Sequence, residues 1–164
     1  MQSSSRLIRN YISQGAPKEA LLLYTQIRRE GILYHQFGGG SVIIPLLLKA
    51  CASLFFLYHG KTLHTELIKY GVTSNVIIGT TLISMYSKCY KIIDSHQVFD
   101  ERLDQNVVTW NAMIGGYVQN RFCEEALEAF RRVQVDGFKP DEVTVASALF
   151  TLIMSPFKIF QLEH

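Results

Sequence analysis

The chain has 164 residues, of which 48% are hydrophobic and 18% charged, with a net charge of +2. That length suits one ordinary domain or several stacked small units, and so small a charge gives no field that would by itself announce a nucleic-acid partner. The three cysteines, Cys51, Cys89 and Cys123, lie 38 and 34 residues apart, an odd, scattered set that suggests neither a disulfide framework nor a zinc knuckle and favours reduced, buried thiols.

In chain order, "MQSSSRLIRN" is Ser-rich with Arg6 and Arg9 but lacks the apolar core of a secretory signal. The tail of an organellar transit peptide is the alternative reading of this segment. Against it, a repeat pattern starts almost at Met1. "KEALLLYTQIRREG" returns 106 residues later as "EEALEAFRRVQVDG", placing Ala126 and Leu127 over Ala20 and Leu21 and Gly137 over Gly31. The same shift puts Ile114 over Ile8 and Tyr117 over Tyr11. "VIIGTTLISMYSKC" returns after 31 residues as "VVTWNAMIGGYVQN", with Ile114 over Ile83, Tyr117 over Tyr86 and, further on, Phe130 over Phe99.

The last of these copies opens on strand formers, Val107, Val108 and Thr109. Its apolar residues Trp110, Met113, Ile114, Tyr117 and Val118 nonetheless keep a helical period. Each unit reads as helix, short break, helix and Gly-containing turn. In this copy the spacing predicts helices from about Trp110 to Asn120 and from about Cys123 to Val135. Gly137 is expected to end the second helix in a left-handed conformation, with Pro140 preventing its continuation. The second helix should bury Ala126, Leu127, Phe130 and Val133. Its other face should carry Glu124, Glu128, Arg131 and Arg132, with Glu128 and Arg132 at pairing distance. Two short helices cannot bury such faces alone, whereas stacked neighbours can. The expected fold is therefore all-α, an α-solenoid. Further on, Val145–Ile153 is apolar, but Pro156 and Lys158 interrupt the run before it could span a bilayer, so no membrane association is expected.

These residues and periods resemble the plant pentatricopeptide repeat proteins, in the subclass that mixes repeat lengths. The resemblance covers Met1 to about Leu149 and implies a right-handed α-solenoid with the first helices lining its concave surface. It implies the following division. Residues 1–35 are a degenerate repeat, and 36–40 ("QFGGG") a Gly-rich connector. Residues 41–75 are a long-type repeat ("LLLKACASL", "HGKTLH", "KYG"), and 76–106 a short-type repeat ("LISMYSKC", "VFDE"). Residues 107–141 are a 35-residue repeat ending in "GFKPD", and 142–164 a partial, divergent repeat and tail. The Gly triplet reads as a connector and not as a phosphate cradle, because no Lys-Ser/Thr or helix opening follows it. "FTLIMSPFKIFQLEH" departs from the pattern, so the array reads as truncated at its C-terminus.

The resemblance also implies one RNA base per repeat, read by the fifth and last residues and sandwiched by the second residues of consecutive repeats. Carried over, Asn111 and Asp141 resemble a uracil-preferring pair with Val108 as sandwich residue. Thr80 and Asn106 resemble an adenine-preferring pair with Ile77. With protein and RNA parallel, these two repeats imply a 5′-A-U-3′ step. The chemistry suits: uracil offers an N3–H between carbonyls, and an ionised Asp only accepts while an Asn amide also donates. Pro45 with Asn75 should read little, and Ser5 with His35 does not decode. Without the resemblance, Asn111 reads as a helix N-cap and Asp141 as a turn residue. Lys61, Lys69, Lys88, Lys91, Arg121 and Lys139 could meet phosphates, and their scatter argues for weak, salt-sensitive binding.

No enzyme is expected. "HTE" at His64–Glu66 matches half of a zinc deaminase pattern, but the Pro-Cys-x-x-Cys half is absent, and His64 is expected to pack against a neighbour. His59, His96 and His164 have no companions at ligand spacing, so neither metal nor cofactor is expected. The partner implied by the resemblance is single-stranded RNA bound by a monomer, with organellar RNA-processing or editing factors beside it. The implied compartment is a mitochondrion or chloroplast, the mitochondrion slightly favoured. The rival readings are a protein-binding scaffold of the tetratricopeptide kind, built from the same hairpin, and a relic without binding activity.

Overall fold

A computed structural model describes residues 4–30, 42–102 and 105–154. Among them are nine helices and no strand: α1 (Ser4–Ser13), α2 (Pro17–Arg29), α3 (Ile43–Ser53), α4 (Leu57–Lys69), α5 (Val76–Lys88), α6 (Ile92–Asp100), α7 (Val107–Gln119), α8 (Cys123–Val135) and α9 (Glu142–Met154). Helices α1/α2, α3/α4, α5/α6 and α7/α8 form antiparallel hairpins. The first helices pack side by side in one layer, α1 on α3, α3 on α5, α5 on α7 and α7 on α9. Each second helix packs on its hairpin partner or on the first helix of the next hairpin. This is the stacked α-solenoid that the repeated faces require. The connector at 36–40 and the tail from 155 onward lie outside the described residues.

Within each hairpin the chain reverses through one left-handed residue: Gly15 (φ 72), Phe55 (φ 56), Tyr90 (φ 58) and Arg121 (φ 63). The N–H after each of these returns to the carbonyl five residues back: Ala16 to Tyr11 at 2.8 Å, and Phe56 to Cys51, Lys91 to Tyr86 and Phe122 to Tyr117 at 2.9 Å each. These bonds satisfy last-turn carbonyls that would otherwise be orphaned. Gly137 closes α8 in the same way, at φ 81 with Phe138 N–H on the Val133 carbonyl at 3.0 Å.

Helix α8 has the predicted bounds. Helix α7 starts three residues before the predicted Trp110, so the strand-forming Val107, Val108 and Thr109 are its first turn. The cause is a capping box. The Asn106 Oδ1 accepts from the Val108 and Thr109 N–H groups at 3.0 and 3.1 Å, and the Thr109 hydroxyl accepts from the Asn106 N–H at 2.9 Å. A cap contributes about 1 kcal/mol, against a few tenths lost per β-branched residue.

The core is continuous through the stack. Ile8, Leu47, Leu48, Leu82, Ile83, Met113, Ile114, Ala126 and Val133 are fully buried or nearly so. Of the predicted α8 face, Ala126 and Val133 are buried, but Ala129 joins them while Leu127 and Phe130 are only half-buried. Glu128 pairs with Arg131 at 3.5 Å and not with Arg132, because Arg132 lies over the Trp110 ring, 5.6 Å from its centroid.

Arg102 locks the entry to α5. Its buried guanidinium donates to the Thr73 carbonyl at 2.9 Å and the Ser74 carbonyl at 3.0 Å. Gly79 leaves the room, since a Cβ there would stand 1.7 Å from the Arg102 Nη1.

Candidate nucleic-acid interface

Three first helices open in the same way. Asn75, Asn106 and Asp141 cap α5, α7 and α9, each side-chain oxygen accepting from N–H groups of the first turn. Regular capping places the second helical residue at the same point each time. Ile77, Val108 and Val143 are 60%, 52% and 60% exposed, although all are branched aliphatics. Their exposure leaves apolar surface on the first-helix layer available to a flat ring. Ile77 and Val108 line one groove of about 780 Å³ that also takes in Thr80, Ser84, Lys49 and Lys88. Among the described residues no carboxylate lines it.

Asn111 is the fifth residue of α7 and does not cap it. Its Nδ2 donates to the Asp141 Oδ2 at 2.7 Å. Thr144 completes the cluster: its hydroxyl meets the Asn111 Oδ1 and also the Asp141 Oδ1, the latter at 2.8 Å, while its N–H reaches that same Oδ1 at 2.9 Å. Hydrogen bonds from the Thr144 backbone and hydroxyl, and then from Asn111, hold the Asp141 carboxyl below the usual carboxylate range. Asp141 is thus a charged, acceptor-only group, and Asn111 is left with one amide hydrogen not committed to it.

Thr80 and Asn106 are not joined in this way. The Thr80 hydroxyl donates to the Val76 carbonyl of its own helix at 2.7 Å, and the Asn106 Oδ1 is occupied as a cap. Pro45 is buried within α3, and Asn75 spends its Oδ1 on the α5 cap. Ser5 lies in α1, while His35 lies outside the described residues.

Of the candidate phosphate contacts, Lys88 lines the groove. Lys61 is tied to Asp94 at 2.9 Å, and Lys69, Lys91, Arg121 and Lys139 are exposed elsewhere. Three site residues escaped the sequence reading. Val143 and Thr144 could have been found by carrying the 35-residue offset forward from Val108 and Thr109. Lys49, a lone lysine in an apolar helix, carried no such signal.

The deaminase-like "HTE" is structural. The His64 Nδ1 meets the Tyr86 hydroxyl at 2.9 Å, and burial lowers the His64 pKa. Glu66 accepts from the Tyr24 hydroxyl at 2.6 Å and pairs with Arg28 at 2.7 Å, joining α2 to α4. Cys51 is a buried free thiol, its pKa pushed up to about 12 by burial. Among the described residues no group of three or more His, Cys, Asp or Glu could hold a metal. No helix among them is long and apolar enough to cross a membrane.

The stack of hairpins, with its first helices side by side in one layer, defines a helical repeat protein of the solenoid class. Residues 3–32 match the PPR repeat and residues 105–150 the PPR repeat family; the chain carries pentatricopeptide repeats and is homologous to plant pentatricopeptide repeat proteins. An Arabidopsis thaliana pentatricopeptide repeat-containing protein is 46% identical over 132 residues, which is 80% of this chain and 24% of the relative. A chloroplastic Arabidopsis member is 36% identical over 149 residues, covering 91% of this chain and 23% of that one. A mitochondrial member is 36% identical over 147 residues, covering 90% and 16%. The chain thus spans about a quarter or less of these curated relatives. The crystal structure of the pentatricopeptide repeat protein PPR10 from maize shares the fold, with a TM-score of 0.57 at 16% identity, over 90% of this chain and 26% of that one.

Proposed function

We propose that the chain binds single-stranded RNA selectively, one base per repeat, as part of organellar RNA processing, editing or stability. The observation that carries this reading is the Asn111–Asp141 hydrogen bond, on first helices whose second residues, Val108 and Val143, are exposed. It puts an acceptor-only carboxylate and an amide donor side by side, and Val108 and Val143 would be the apolar lips that sandwich the base. A uracil seated there would present its N3–H to the carboxylate and a carbonyl to the amide. In the neighbouring slot, between Ile77 and Val108, Thr80 and Asn106 would face adenine. Lys49 and Lys88 would meet phosphates. The chloroplastic and mitochondrial relatives support a location in one of those organelles. On this reading the chain is a non-enzymatic, monomeric binder that holds RNA for other factors.

Filter binding tests it. RNA carrying an AU step should be retained at least several-fold better than RNA carrying GC in its place. Replacing Asn111 and Asp141 by Ala should erase the preference at one base, worth about 1–3 kcal/mol, with unchanged helical circular dichroism. Equal retention of both RNAs by the unaltered chain would overturn the reading.

A further inference from the structure

The opposite face carries a second groove, between the second helices α6 and α8. Two adjoining cavities of about 580 and 550 Å³ share His96, Tyr117 and Glu125. Phe99, Trp110 and Leu127 line the first, and Ile93 and Phe122 the second. Around this apolar floor stand five carboxylates: Asp100, Glu101, Glu124, Glu125 and Glu128. The cations nearby are committed, Arg131 to Glu128 and Arg132 to the Trp110 ring. Glu124 and Glu125 have no cationic partner among the described residues.

Helix electrostatics do not account for the whole rim. Glu124 and Glu125 suit the first turn of α8, but Asp100 and Glu101 sit at the C-terminal end of α6, where a carboxylate is disfavoured. The negative field is felt inside the groove: burial first, then Asp100 and Glu125, push the Tyr117 hydroxyl up to about 12. The Trp110 indole, 2% exposed, has an Nε1 with no hydrogen-bond partner.

We infer that this groove is a docking surface for a protein partner, a segment with apolar anchors flanked by lysines or arginines. Charge complementarity selects it. Among the described residues the first-helix groove has two lysines and no carboxylate, while this one has an acidic rim that repels phosphate. The Trp110 face already accepts one guanidinium, and the apolar floor supplies the pockets that anchor residues need.

Trp110 is the only tryptophan, so its emission reports the groove. The full chain is titrated with a short amphipathic helical peptide of leucine and lysine, with its leucine–glutamate counterpart, and with a serine–lysine peptide lacking anchors. Only the leucine–lysine peptide should shift Trp110 emission saturably. Glu124→Gln with Glu125→Gln should weaken it about tenfold, while Glu19→Gln with Glu30→Gln, the same charge change at the two ends of α2, should leave it within about twofold. The inference is overturned if the leucine–glutamate or serine–lysine peptide binds as well, or if both double variants weaken binding equally. It is overturned too if a mixed-sequence single-stranded RNA gives the Trp110 response with the same dependence on Glu124 and Glu125.

Discussion

Thr144 has one hydroxyl proton and two acceptors within reach, the Asn111 Oδ1 and the Asp141 Oδ1. Donated to the Asn111 Oδ1, that proton fixes which end of the Asn111 amide faces the carboxylate, and hence what the pair offers a base. Thr144→Val keeps the shape and the Thr144 N–H that Asp141 caps at 2.9 Å but removes the hydroxyl. Base discrimination at that slot should fall by about 1 kcal/mol, with total RNA affinity and helicity nearly unchanged, as measured by filter binding on RNAs differing at one base. A second residue governs acid stability. Burial holds His64 below its ordinary pKa, so protonation would place a charge where the fold disfavours one, beside the Tyr86 hydroxyl. The stability so contributed is whole above the unfolded-state value of about 6.5 and is lost as pH falls from there through the lower folded-state value. Lowering pH from about 7.5 to about 5.5 should therefore reduce the urea midpoint, and His64→Gln should make that reduction smaller.

At the scale of elements, what sets the site is how each first helix begins. The α5 entry depends on Arg102 reaching three carbonyls past Gly79: Thr73, Ser74 and Asn75. Gly79→Ala should displace the guanidinium and cost about 1–3 kcal/mol, read as a lower thermal midpoint. In an Arg102→Ala background the same change should cost little, and the difference measures the coupling. The hairpin turns show the same dependence on context. Phe55, Tyr90 and Arg121 hold left-handed conformations that favour glycine. Phe55 and Tyr90 are retained there with rings stacked at 6.0 Å, joining successive hairpins.

At the scale of the molecule, the main helix packing among the described residues is within a hairpin or between adjacent hairpins, so the array is nearly one-dimensional and a ligand bound along it would follow the stack. Two lysines line the first-helix groove, and the net charge is +2. The logarithm of RNA affinity should then fall with the logarithm of salt at a slope of about −1.4, taking about −0.7 per phosphate neutralised on a single strand. Lys49→Ala or Lys88→Ala should each reduce the slope by half. A slope of zero would show that neither lysine meets a phosphate.

By itself the sequence determined the all-α class, the hairpin repeat and the bounds of α8, because period, glycine and proline are local instructions. Through its resemblance to pentatricopeptide repeats it also marked Asn111 and Asp141 as a pair. It misplaced the start of α7, because β-branched residues read as strand until the Asn106–Thr109 capping box is seen. Tertiary structure alone decided that Leu127 faces a groove and not the core, that Arg132 turns to Trp110 and that Lys49 shares a groove with Ile77 and Lys88. The Asn111–Asp141–Thr144 cluster also closes only when α9 packs on α7. Periodicity names the face of a helix, but which neighbour meets that face, and which side chains meet across thirty residues, is set by the stacking of one hairpin on the next.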